Sequence, residues 1–67
     1  MTNDQLRQAL SELNNERDVV FVFKSAPECV VASAMLIPDE PDHLVKVSDG
    51  AHVYIIDAEL VAWIKIG

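Results

Sequence analysis

A chain of 67 residues has room for one domain, residues 1–67, and a small core, near the lower limit of what hydrophobic burial stabilises by itself. Its one cysteine, Cys29, excludes an internal disulfide, and eleven acids against five bases, a formal net charge of −6, oppose docking on phosphate backbones. A hydrophobic fraction of 51% is more than one small interior needs; it points to self-association as the missing stabiliser, while the charge favours any further partner being basic.

The opening residues MTNDQLRQ lack the basic stretch and apolar run of a signal peptide. No apolar run approaches the roughly 18 residues that span a bilayer. The expectation is a soluble, cytoplasmic protein with no membrane association.

Residues 3–16 read as an amphipathic helix. Thr2 and Gln5 have the spacing of a capping box, in which each side chain satisfies a backbone amide of the other residue. Leu6, Ala9, Leu10 and Leu13 recur at helical spacing and form one stripe, and Asn14-Asn15 supplies a stop because Asn tolerates the left-handed conformation. The stripe is expected to cover an open side of the core.

Five strands follow between residues 18 and 66. Asp18 to Lys24 (DVVFVFK) is apolar on both faces and should be central. Ser25-Ala26-Pro27 turns the chain into a long second strand, Cys29 to Ile37. Its middle, Ala32-Ser33-Ala34, has side chains small enough for a sharp bend or for simple close packing. Pro38 to Asp42 is an exposed acidic loop. His43 to Ser48 is the third strand. Asp49-Gly50 predicts a two-residue type I′ hairpin, which needs positive φ at both central positions. Ala51 to Ile56 returns as the fourth strand. The next junction, Asp57-Ala58-Glu59, lacks hairpin chemistry and reads as one helical turn between sheets, before Leu60 to Ile66 as the fifth strand. The fold class is mainly β with one N-terminal α-helix. A small, strongly bent, five-stranded antiparallel barrel of SH3-like type would leave the fewest bare edges.

This order resembles the Sm/LSm family and its bacterial Hfq-type members. Leu13-Asn14-Asn15-Glu16-Arg17 followed by Val19-Val20-Phe21-Val22 is similar to the family's helix end and first strand, and Ile56 to Ile66 resembles its second sequence motif. The resemblance implies an Sm-like barrel whose fourth strand pairs with the fifth strand of a neighbouring subunit, closing a ring. It also implies single-stranded RNA as a ligand. Two departures stand out: Ala32 or Ala34 lies where the family usually has a glycine, and Asp57-Ala58-Glu59 replaces Arg-Gly or Lys-His at the RNA-contacting positions.

No catalytic set is present. His43 and His52 flank the Asp-Gly turn on adjacent strands, where they would face each other and, with Asp39, Asp42 or Asp49, make at most a weak metal site; their spacing matches no zinc pattern. Asp39, Glu40 and Asp42 lack the glycine and ligand spacing of a calcium loop. Cys29, followed by Val30 and Val31, is expected to be a packed and inert thiol. On the fifth strand Leu60, Ala62, Ile64 and Ile66 form the expected core face, which puts Val61, Trp63 and Lys65 outside, and tryptophan is enriched in interface anchors.

The reading that follows is a non-enzymatic, oligomeric interaction or scaffold module without cofactor or metal. It forms a homo-oligomer, ring or dimer, through its last two strands, with Val53, Ile55, Val61, Trp63 and Lys65 at the interface. The alternative is an Sm-like RNA binder, which the net charge disfavours, with His43, His52 and Tyr54 as ligand or RNA contacts. A small metal-binding or enzymatic domain is the third reading.

Overall fold

The computed structural model describes residues 1–67. Its order is α1 (Asn3–Leu10), β1 (Val19–Phe23), β2 (Cys29–Val31), β3 (Met35–Leu36), β4 (Val45–Ser48), β5 (Val53–Ile56), a 3₁₀ turn (Ala58–Leu60) and β6 (Val61–Ile66). The strands form two three-stranded antiparallel sheets, ordered β2-β1-β6 and β3-β4-β5, and neither closes into a barrel. No helix is long and apolar enough to cross a membrane.

The capping box forms as the spacing requires. The Gln5 amide donates to Thr2 Oγ1 at 3.0 Å and the Thr2 amide donates to Gln5 Oε1 at 3.0 Å. The helix is shorter than its apolar pattern. It stops at Leu10, where the Ser11 hydroxyl donates to the Gln8 carbonyl at 2.6 Å, and the chain then turns with 3₁₀-type bonding that still delivers Leu13 to the core. Leu6, Leu10 and Leu13 are buried and Ala9 is exposed, so the stripe is narrower than expected. Asn15 adopts φ 70°, a left-handed conformation that its side chain tolerates, but it lies five residues beyond the helix end and is not the stop expected of it.

β1 is the central strand of its sheet, with Val19 and Phe21 fully buried. The long strand expected over Cys29–Ile37 is two strands, one in each sheet. Ser33 sits between them at φ 47°, and its amide donates to Asp18 Oδ1 at 3.0 Å. This left-handed residue breaks the alternation of faces, so Val31 and Ala34 are both buried although they belong to opposite faces of a regular strand. Ala34 also ties the bend to the helix exit: its amide donates to the Arg17 carbonyl at 2.8 Å, and its carbonyl accepts from the Asn15 amide at 3.0 Å.

The β4–β5 connection is not a two-residue type I′ turn. Ser48 pairs with Val53, leaving a four-residue loop, 49–52, in which only Gly50 has positive φ. The Asp49 side chain replaces the tight turn by bonding the backbone ahead of it. The Asp57-Ala58-Glu59 junction is a single 3₁₀ turn, capped by Asp57, whose carboxylate accepts from the Glu59 amide at 3.0 Å. It carries the chain from the edge of one sheet to the edge of the other. Twelve buried apolar residues from α1, the helix exit, β1, β2, the bend, β4, β5, the 3₁₀ turn and β6 meet in one core, and no polar residue is buried with them.

Candidate association surface

β5 and β6 are the longest strands with a free edge. β2 and β3 also lie at sheet edges, but they have three and two residues and run into each other through the bend. β5, Val-Tyr-Ile-Ile, carries no proline, charge or bulge, the devices that normally stop an edge from pairing. Of the seven large apolar side chains exposed on the molecule, Val53, Ile55, Leu60 and Trp63 lie on β5, the 3₁₀ turn and β6. Ile55 is 61% exposed and Trp63 55%. Lys65 is exposed on the same face of β6 as Trp63.

Val61 does not join them. The expected facing of the last strand is inverted at its start: Val61 is 2% exposed and belongs to the core, while Leu60 and Ala62 are exposed. The cause is a register shift against β1. Val22 pairs with Trp63 and Phe23 with Val61, so Ala62 is an extra residue opposite no partner. A bulge of this kind lets two residues on one side of it follow one pattern and the rest another. Val61 points inward, Trp63 and Lys65 point outward, and Ile64 and Ile66 pack half-buried against the core.

A cleft of about 270 Å³ opens beside the end of β5, lined mainly by Phe23, Ala26, Ile55, Ile56 and Leu60, with Asp57 as its acidic member. A second, of about 390 Å³, shares Ile55, Ile56 and Asp57 and adds Asn3, Leu44 and Glu59. The end of β5 thus has an apolar hollow and, next to it, an acidic one.

The other candidate residues are placed differently from the sequence reading. His43 and His52 do not face each other. His43 precedes Val45, whose partner is Ile56; His52 precedes Val53, whose partner is Ser48. The register therefore puts the two imidazoles at opposite ends of the β4–β5 ribbon. His43, at φ 57°, lies 3.2 Å from Asp39. His52 stands beside Tyr54, with ring centroids 6.3 Å apart, and the Tyr54 hydroxyl donates to Asp49 at 3.0 Å. Asp49 also accepts the amides of His52 at 2.6 Å and Ala51 at 2.8 Å. These donors hold its carboxyl well below the usual carboxylate range, and the bond to the same carboxylate pushes the Tyr54 phenol up. Cys29 is half-buried rather than enclosed, on the edge strand β2.

The acidic loop is an ion-pair network. Lys46 Nζ lies 2.6 Å from Glu40 and 2.7 Å from Asp42. Lys46 lowers the Asp42 pKa, helped by the Leu44 amide, and Asp42 and then Glu40 raise that of Lys46. Sequence reasoning overlooked Arg7. Its guanidinium donates to the carbonyls of Ile37 at 3.2 Å and Leu44 at 2.9 Å and lies 3.4 Å from Asp39, which ties α1 to both ends of the loop. The only forewarning was a base on the helix flank in a chain whose loop has three acids. No three His, Cys, Asp or Glu side chains lie together in a geometry that holds a metal ion. Comparison of the chain with protein-family models, with curated proteins and with solved structures finds no match.

Proposed function

We propose that this chain is a non-enzymatic interaction module that self-associates through the free edges of β5 and β6. The observation that carries the reading is the coincidence of two free strand edges, that of β5 with no proline, charge or bulge, with the molecule's main group of exposed apolar side chains, Val53, Ile55, Leu60 and Trp63. An edge offers a row of unpaired amides and carbonyls, and strand addition satisfies them while covering neighbouring apolar groups. The fold is read as an open, strongly bent barrel of SH3-like or Sm-like type. In its favour are the bend at Ser33, which divides one predicted strand between both sheets, and the single 3₁₀ turn linking β5 to β6.

The RNA reading has less behind it. His52 and Tyr54 are neighbours, but His43 lies at the far end of the ribbon, and two acids occupy the turn after β5.

Mass in solution, measured by light scattering across a dilution series, tests the proposal. A species of several times 7.4 kDa that dissociates on dilution is expected; a 7.4 kDa particle at all concentrations overturns it.

A further inference from the structure

Of the four strand edges, only that of β5 is long, regular and uncharged. β2 and β3 have three and two residues, and β6 carries Lys65 and the bulge at Ala62, two of the devices that stop an edge from pairing. A chain of net charge −6 repels its own copy, and Val53–Ile56 is the one edge of useful length with no charge to add to that repulsion.

The hydrogen bonds of the β3-β4-β5 sheet fix which groups this edge offers. In an antiparallel ladder a residue turns its amide and carbonyl to one neighbour, and the direction alternates along the strand. The Ile37 amide donates to the Lys46 carbonyl at 3.0 Å, so Lys46 faces β3, and Val45 and Val47 face β5. Their partners, Ile56 and Tyr54, are thereby occupied. The Asp49 amide donates to the His52 carbonyl at 3.2 Å, which gives the same phase from the other end of the ribbon. The free amides and carbonyls of β5 are therefore those of Val53 and Ile55, the two residues of the strand whose side chains are exposed.

Resting on the proposal that the chain self-associates, we infer that β5 pairs antiparallel with β5 of a second copy about a two-fold axis at Tyr54, joining two three-stranded sheets into one of six. Few registers are open, because residues with free groups must meet each other. With Tyr54 opposite Tyr54 of the copy, Val53 meets Ile55 of the copy and Ile55 meets its Val53, and each of these pairs exchanges two hydrogen bonds. Every free amide of Val53 and Ile55 is then satisfied, and their exposed side chains meet as cross-strand apolar pairs. The next open register in one direction sets Asp57 opposite Val53. The next in the other direction sets Ile55 opposite Ala51 and leaves a single valine pair.

The contact uses the same surface of both copies, so it closes at two chains and leaves both β6 edges free. It is small on each side, which places it among weak pairs that separate on dilution.

Disulfide trapping in a Cys29→Ser chain reads this register. Directly opposed residues lie about 4.5–5.5 Å apart, within reach of a disulfide, and diagonal ones about 7–8 Å apart, beyond it. Val53→Cys and Ile55→Cys chains, each altered at an exposed position, are expected to give a mixed disulfide dimer when oxidised together, and neither to cross-link comparably to itself; mass spectrometry separates the species. In the otherwise unaltered chain, Ile55→Pro removes an amide that only the copy uses. It is expected to keep the far-UV dichroism of the wild type and to lower the mass seen by light scattering.

A monomeric wild type removes the self-association proposal and this inference with it. An assembling wild type without the mixed disulfide, or with each cysteine variant cross-linking equally well to itself, overturns the two-fold β5 pairing and leaves association through other surfaces standing. An Ile55→Pro chain that keeps the wild-type fold and mass overturns it too, and one that unfolds overturns the assignment of its amide to the free edge.

Discussion

Asp49 organises more of its surroundings than its place in an Asp-Gly pair suggests. Its carboxylate replaces the tight hairpin by collecting two amides and a phenol. Because its folded pKa is depressed, the stability it contributes is fully present above its ordinary value of about 3.9 and is lost as pH falls through that value toward the folded one. Asp42 acts in the same sense through Lys46. The melting temperature is therefore expected to fall as pH drops below about 4, and Asp49→Asn to lower it at pH 7 while flattening this acid limb; an unchanged pH profile in the variant contradicts the assignment. Lys46 has the opposite sign. Its raised pKa gives a contribution present below about 10.4 and lost as pH climbs through the folded value. Arg7 is a structural cation with two carbonyls and one carboxylate around it. Arg7→Ala is expected to cost about 1.5–3 kcal/mol in chemical denaturation, the range for hydrogen bonds to a charged group, and Arg7→Lys to recover only part of it because one ammonium cannot span both carbonyls.

Among the elements, the bend at Ser33 and the bulge at Ala62 do comparable things. Each lets one segment send side chains to the core in a pattern that regular alternation forbids. A non-glycine residue in the left-handed region carries strain of about 1–2 kcal/mol, part of which glycine returns as backbone entropy in the unfolded state. Ser33→Gly is therefore expected to raise stability by about 0.5–1 kcal/mol in urea titrations, and Ser33→Val to lower it.

These two sites also mark where the fold was legible in the sequence and where it was not. The capping box, the central β1 and the 3₁₀ turn after Asp57 follow from local chemistry, and each formed where its residues place it, whereas the helix ends before the Asn14-Asn15 pair expected to stop it. The inward turn of Val61 depends on how β6 meets β1, a partner some forty residues earlier, and no local pattern records it. The same holds for the two histidines, whose separation depends on a loop of four residues where the Asp-Gly pair predicts two. Of the residues proposed for the association surface, Trp63 and Lys65 are exposed as alternation along the last strand predicts, Val53 and Ile55 are exposed as well, and Val61 is lost to the bulge.

At the level of the whole molecule, twelve buried residues must stabilise 67. At about 0.05–0.15 kcal/mol per residue the free energy of unfolding is of order 3–10 kcal/mol. Truncating a fully buried aromatic costs about 3–5 kcal/mol. Phe21→Ala is thus expected to leave a large fraction of the isolated chain unfolded at 25 °C, as loss of near-UV dichroism would show; a cooperative melt close to the wild type's would place the core elsewhere. The proposed association would add to this margin by mass action, since a partner that binds only the folded chain stabilises it in proportion to the logarithm of its concentration. The melting temperature of a self-associating chain should therefore rise with protein concentration.

The pairing of Val19–Phe23 with Val61–Ile66 sets the timing of folding. The central strand of its sheet is among the first made, and one of its two neighbours is the last strand. A nascent chain released only to Asp57 holds Val19 and Phe21 against β2 alone, with the β6 side bare. Closing that gap joins segments separated by most of the chain, a non-local contact of the sort that slows folding. During synthesis the core cannot be sealed until β6 has left the ribosome, because an eight-residue helix and a two-stranded ribbon are each marginal without it. A stalled or truncated chain lacking β6 exposes a valine- and phenylalanine-rich strand, which makes it a ready substrate for chaperones.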